Sequence, residues 1–291
     1  MRRAVPAVVL GVSVLSVLLA GCSSDPVLGA ETSGTTVVVG SGTSNRDELI
    51  AQVYANALAR TGVQTSVAER ADRAANLARL DARDVELVAD YTGGLLAYLN
   101  PGAPQTAPED VFAALNKSLP QGLSSTDYGV AQDGLTLHAT PETVRALGGA
   151  SLEAFGPHCA ELTVGVAAPL PEATTTRLAG EYGCAFGDVR TYPADALPAA
   201  VTTGEVAAVL LPGMSSATDD VIPIADDAHA FVAQNIVPVF RTGALSDAAI
   251  LKLNVVGAEL TTSDLVTLEA QVEGGEDPGR AARAWLDQRG L

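Results

Sequence analysis

Apolar and polar positions alternate with two periods along this chain, and the switches between them outline its elements. Residues 36–39 are β-branched and apolar, which predicts a strand. Gly40-Ser41-Gly42-Thr43-Ser44 follows as a loop, and then Leu49, Ile50, Val53, Tyr54, Ala57 and Leu58 fall on one face of a helix. Ser44 with Asp47 three residues on forms a capping box for that helix. Residues 63–67 read as a second strand and 74–80 as a helix rich in Ala and Leu. Val85, Leu87 and Val88 make a third strand. Asp90-Tyr91-Thr92-Gly93-Gly94 reads as a polar turn after it, and Leu95, Leu96, Tyr98 and Leu99 resume a helical pattern. The order βαβαβ predicts a parallel sheet.

Residues 101–108 read as a loop and 108–119 as a helix, and a strand runs within 128–140. A second series of similar size then begins, with strands at 162–168, 189–192 and 206–211 and helices at 171–182 and 196–203. The segments 222–224 and 235–240 read as strands that carry the chain back. Helices at 247–260, 263–272 and 278–288 close it, with Leu251, Leu253, Val256, Leu260, Leu265, Leu268 and Trp285 expected in the core. Two βα series imply two α/β lobes. With crossings near Tyr128 and Phe231, the lobes are 35–128 plus 232–291 and 129–231.

The N-terminus has a different character. Arg2 and Arg3 precede an uncharged apolar run over 4–20, which ends in Leu19-Ala20-Gly21-Cys22. A basic start, a short apolar core and a small-residue site mark a cleaved signal peptide over 1–21. The ending resembles a bacterial lipobox, which implies lipidation of Cys22. A retained membrane helix is the competing reading, but the run is near the lower length limit for a span. Residues 22–34, containing Ser, Gly and Pro without periodicity, read as a flexible tether. The chain is thus expected to be exported and lipid-anchored at the outer face of the cytoplasmic membrane.

Composition narrows the partners. Hydrophobic residues are 47% of the chain, which excludes wholesale disorder. The net charge of −17 becomes −19 once Arg2 and Arg3 leave, with 15 basic residues against 34 acidic ones. Nucleic acid is therefore not expected as a partner. Cys159 and Cys184 each precede a strand of one βαβ unit, where the starts of neighbouring parallel strands lie close. A disulfide fits an exported chain, and two separate buried thiols are the alternative. His138, His158 and His229 have no zinc-like spacing with the cysteines, so no metal site and no cofactor are expected.

The chemistry-bearing residues point to binding. Ligands of open α/β sheets sit outside the carboxyl ends of strands, where the 40–44 loop and the Asp90–Gly94 turn would lie. The first loop lacks both the G-x-G-x-x-G spacing and the Gly-Lys-Ser/Thr ending of nucleotide sites. No G-x-S-x-G elbow or H-E-x-x-H motif is present. Asp90 and Asp133 could be imagined as a carboxylate pair, but loop aspartates more often cap and turn.

Three stretches carry a family resemblance: V-V-V-G-S-G-T-S-N-R-D-E-L-I-A-Q-V-Y-A-N-A-L, V-E-L-V-A-D-Y-T-G-G-L-L, and A-F-V-A-Q-N-I-V-P-V-F with the later L-T-T-S-D-L-V-T-L-E-A-Q-V and A-A-R-A-W-L. The chain resembles the ProX-type glycine betaine/choline-binding proteins, the solute receptors of osmoprotectant ABC importers. The resemblance implies a two-lobed type II periplasmic-binding-protein fold that closes on a ligand in the interlobe cleft. It also implies an ABC permease and ATPase as partners, and a monomer.

In that family a cage of tyrosines holds the quaternary ammonium, because ring faces attract a cation. Tyr91 stands at one cage position, while Leu135, Pro212 and Gln234 fall at the others. Tyr128 and Tyr192 are the only rings in reserve. Gly94 replaces a hydroxylated residue that reads the ligand carboxylate in the family. The expected ligand contacts are Ser41, Thr43, Tyr91, Thr92, Gln132, Gln234 and Asn235, and the expected ligand is larger or more hydroxylated than betaine or choline. An envelope sensor or scaffold that has lost import is the alternative, with an extracellular enzyme a weaker one.

Overall fold

The computed structural model describes residues 36–213, 215 and 220–291. The signal peptide, Cys22 and the tether lie outside the described residues, as do Met214 and Ser216 of the loop after Pro212. Thr35–Leu291 forms one compact unit.

The chain opens with β1 (Val37–Ser41), α1 (Asn45–Ala59), β2 (Thr65–Arg70), α2 (Arg73–Ala82), β3 (Leu87–Tyr91), α3 (Thr92–Leu99), α4 (Pro108–Ser118) and β4 (Leu123–Ser125). It continues with β5 (Leu135–Ala139), α5 (Pro141–Ala146), α6 (Leu152–Phe155), β6 (Thr163–Val166), α7 (Glu172–Tyr182), β7 (Asp188–Thr191), α8 (Leu197–Thr202), β8 (Ala208–Pro212) and β9 (Ile222–Pro223). β10 (Ile236–Arg241), α9 (Asp247–Glu259), α10 (Thr262–Glu273) and α11 (Pro278–Arg289) complete it.

These strands build two sheets, ordered β2-β1-β3-β10-β4 and β7-β6-β8-β5-β9. In the first, β1 pairs parallel with β2 and β3, whereas β10 runs antiparallel to β3 and β4. The second repeats the plan: β6 is parallel to β7 and β8, and β5 is antiparallel to β8. Each βαβ series thus supplies three parallel strands, and a strand from outside the series, β10 in the first sheet and β5 in the second, is inserted antiparallel. The sheets are therefore mixed, where the βαβαβ order alone predicts a parallel one.

Each sheet is covered on both faces. One face of the first packs Val39, Leu87 and Phe240 against Leu49, Val53 and Leu58 of α1 and against the three C-terminal helices. Its other face packs Val88, Val237 and Val239 against Leu80, Leu95 and Leu115 of α2, α3 and α4. The second sheet buries Leu137, Val164 and Leu210 on one side and Val209 and Leu211 on the other. The capping box at the start of α1 is formed, with Asp47 N–H donating to Ser44 Oγ at 3.0 Å and Ser44 N–H to Asp47 Oδ2 at 3.0 Å.

β2 starts at Thr65 rather than at 63, because the pairing with β1 begins at Val37↔Thr65. Leu251 is 64% exposed, not core. Ala249, Leu253 and Val256 take the buried face of α9, and at 3.6 residues per turn position 251 points away from it. β4, α5 and α6 were not legible, being short and without a full period.

Cys159 and Cys184 are joined by a disulfide with Cα atoms 5.1 Å apart. It ties the turn before β6 to the end of α7, at the entrance to β7. The chain passes between the sheets twice, between β4 and β5 and between β9 and β10. The two passages are bonded side by side: Ile236 N–H donates to Ala131 O at 3.0 Å and Asp133 N–H to Gln234 O at 3.0 Å.

Candidate functional site

The site is built where β3 runs straight into α3. Sequence alone suggests a free polar turn over Asp90–Gly94. Instead Asp90 and Tyr91 finish the strand, and Thr92, Gly93 and Gly94 are the first turn of the helix. The first N–H groups of a helix lack partners within it, and here the passage into β10 provides them. Thr92 N–H donates to Asn235 O at 2.9 Å, and Gly94 N–H donates to Gln234 Oε1 at 2.8 Å. In return Asn235 N–H donates to Thr92 Oγ1 at 3.1 Å. The glycines allow this approach, since a Cβ on Gly93 would lie 2.5 Å from Ala233 O and one on Gly94 2.8 Å from Arg73 Nη2.

Arg73 and Asp90 form a bidentate ion pair, Nε to Oδ2 and Nη2 to Oδ1, both 2.7 Å. Arg46 bonds Asp133 at 3.2 Å through Nη1 and Glu269 at 2.8 Å through Nε. Asp90 and Asp133 are therefore each occupied by a guanidinium and do not form a carboxylate pair. Burial, and then the carboxylates of Asp47 and Asp133, push the Tyr91 phenol up, so its ring is neutral.

A cleft of about 370 Å³ opens at this junction. Arg73, Tyr91, Gly94 and Gln234 line it from the first sheet's side. Leu135 of β5 and Thr174 of α7 line it from the second, with Phe231 and Val232 of the passage between. A pocket of about 220 Å³ adjoins it through Tyr91 and Arg73 and includes Thr43 and Asp47. Another of about 280 Å³ adjoins it through Leu135, Phe231 and Val232 and includes Gln132 and Asn235.

The expected contacts are thus partly gathered. Tyr91 and Gln234 line the cleft itself, and Thr43, Gln132 and Asn235 line its two neighbours. Ser41 and Thr92 stand behind the wall. Ser41 is buried with Oγ donating to Gly42 O at 3.1 Å, and Thr92 is fully buried in its bonds to the β10 passage. Tyr128 packs edge-on against Phe112 and donates to Glu109 at 3.1 Å, and Tyr192 donates to Glu205 at 3.0 Å; neither lines the cleft. Leu135 and Pro212 face each other across β5 and β8. Arg73 and Phe231 were not foreseen as lining residues. Phe231, one of the chain's five phenylalanines, was marked only by its place near a crossing, and nothing local marks Arg73.

No group of side chains that could hold a metal ion is present among the described residues. No helix among them is long and apolar enough to cross a membrane.

Comparison with known proteins agrees with this geometry. The sequence pattern of the OpuAC family, described as the substrate binding domain of ABC-type glycine betaine transport system, matches residues 35–288. Among solved structures, a glycine betaine/carnitine/choline ABC transporter protein is similar at 17% identity and a TM-score of 0.73, over 87% of this chain and 98% of that one. Apo YehZ from Escherichia coli is similar at 18% identity and a TM-score of 0.74, over 88% and 99%. The glycine betaine/L-proline-binding protein ProX from Borrelia burgdorferi is similar at 11% and 0.51, over 87% and 93%. At these identities the likeness establishes the two-lobed periplasmic-binding-protein fold. No curated protein matches the chain. With the match extending over nearly all of the folded part, the chain belongs to the family of substrate-binding domains of ABC-type glycine betaine transport systems.

Proposed function

We propose that this chain is a lipid-anchored solute receptor, which captures a small solute between its lobes and delivers it to an ABC permease and its ATPase. The observation that carries the reading is the cleft itself. Tyr91 and Gln234 from one sheet's side face Leu135 and Thr174 from the other's. Closing such a cleft buries a ligand among convergent polar groups. The lobes are 35–128 plus 232–291 and 129–231, with the paired passages as the hinge. Cys22 carries the lipid and residues 22–34 are the tether, which holds the receptor outside the cytoplasmic membrane, and it works there as a monomer. Catalysis is not part of the reading: Asp133 of the cleft is held by Arg46, and Asp90 of the adjoining pocket by Arg73.

The ligand is larger or more hydroxylated than betaine or choline. A quaternary ammonium bound by several ring faces gains from each of them, and this cleft offers Tyr91 and Phe231 beside Leu135 and Gln234. Thermal-shift screening of residues 35–291 against quaternary amines, sugars and polyols tests the reading. A ligand at a hundredfold its dissociation constant adds about 2.7 kcal/mol. Stabilisation by betaine or choline alone would overturn the ligand assignment and leave the receptor.

A further inference from the structure

The guanidinium of Arg73 has two edges that can meet a carboxylate, and the fold uses one of them. Nε and Nη2 donate to Asp90 Oδ2 and Oδ1, both at 2.7 Å, which fills the edge between these two nitrogens. A guanidinium carries five N–H donors in a fixed plane, so two are spent and three remain. The second edge, formed by Nη1 and the other N–H of Nη2, makes no hydrogen bond among the described residues. Nη1 is not a buried atom, and the side chain is 34% exposed.

The free edge begins at the wall of the cleft. Nη2 belongs to both edges, and it is the Arg73 atom nearest to a Cβ built on Gly94, at 2.8 Å. Gln234 Oε1 would lie 3.6 Å from the same Cβ. Arg73, Gly94 and Gln234 all line the cleft, so the guanidinium stands in the space that a side chain at 94 would take. Of the described residues lining the cleft, Arg73 alone is cationic, and the one acid, Asp133, is held by Arg46 at 3.2 Å.

We propose that Arg73 is the specificity-determining residue of the cleft: its second edge takes a carboxylate of the solute, which selects acids over amides and alcohols of the same shape. The proposal rests on the solute-receptor reading and extends it. Two parallel N–H donors match the two oxygens of a carboxylate. An amide offers one oxygen and sets its own N–H against the second donor, and an alcohol offers one oxygen only. Asp90 balances the charge of Arg73 without using these donors, so the edge selects a pair of oxygens rather than a net charge.

Two measurements on residues 35–291 test it. The first is calorimetry with carnitine and carnitinamide, which differ only in the acid group. The acid should bind at least about tenfold tighter, the value of a hydrogen bond to a charged group. The variant R73K keeps a cation for Asp90 but lacks the second edge, so it should keep its melting temperature and bind the two compounds about equally. Equal binding by the wild type, or a preference for the acid that survives in R73K, overturns the inference. The second measurement is a crystal soak with acetate as the probe. Its carboxylate should span Arg73 Nη1 and Nη2 in the wild type and be absent from that place in R73K. An edge that holds water alone, or acetate that stays in R73K, overturns the inference. If neither carnitine nor its amide binds, the soak decides alone. Binding of sugars or polyols only would overturn the inference and leave the receptor, whereas the receptor reading fails when no solute of the wider screen binds.

Discussion

Thr92 and Asn235 hold each other by two reciprocal hydrogen bonds: Thr92 N–H to Asn235 O at 2.9 Å, and Asn235 N–H to Thr92 Oγ1 at 3.1 Å. Through this pair the strand that ends one βαβ series is fastened to the strand that returns from the other. Both residues are buried, so the fastening is dry. Thr92→Val keeps the shape and removes the acceptor, which leaves the Asn235 N–H unsatisfied. The expected loss is about 1–3 kcal/mol, read from urea denaturation. Thr92→Ser keeps the hydroxyl and should lose less.

The two glycines of α3 should respond differently. At Gly93 an added methyl meets the backbone oxygen of Ala233 at 2.5 Å, and the backbone cannot step aside cheaply. Gly93→Ala should cost about 1–3 kcal/mol or more, as overpacking does. At Gly94 the methyl meets the far end of Arg73. A long side chain can give way, and alanine gains up to about 1 kcal/mol in a helix. Gly94→Ala should therefore stay near wild-type stability in the same denaturation experiment, while moving the guanidinium in the cleft and changing ligand affinity.

The disulfide between Cys159 and Cys184 closes a loop with a sequence separation of 25. Chain-entropy arguments assign about 3 kcal/mol to such a loop. Replacing both cysteines by serine should lower the melting temperature of the chain, and added reductant should lower the wild type and leave the double variant unchanged.

Burial lowers the pKa of the His138 imidazole below 6.5, while its bond to Thr136 O opposes the shift. The unfolded chain therefore binds more protons than the folded one as pH drops through about 6.5, and stability rises with pH in that window. The His138 contribution is present above the unfolded pKa and is lost as pH falls through the folded one. His138→Gln should flatten this part of the stability–pH curve, measured by denaturation at steps from about pH 7.5 down to about pH 5.

The legible parts of this fold were those whose signals are local. The capping box of Ser44 and Asp47 and the apolar face of Leu49, Val53 and Leu58 define α1 without help from the rest of the chain. The same holds for the alternation of the two βα series. Asp90–Gly94 misled because its partners, Gln234 and Asn235, lie about 140 positions away. Their oxygens serve the N–H groups of Thr92 and Gly94, which turns an apparent loop into a strand end and a helix start. Arg73 enters the site for the same kind of reason, through its bond to Asp90 and the missing side chain at Gly94. Phe231 enters because the passage between the sheets runs beside the cleft. Leu251 misled in the other direction, since an apolar residue on a helix is not core unless it shares the face of Leu253 and Val256.

The proposed solute site rests on Tyr91 and the residues opposite it. Isothermal titration of residues 35–291, wild type and Tyr91→Leu, against quaternary amines, sugars and polyols tests it most directly. Saturable binding of at least one solute by the wild type is expected. The variant should bind more weakly, about tenfold for a cation held against the ring. Binding that is indifferent to Tyr91→Leu, or no binding across the panel, would contradict it.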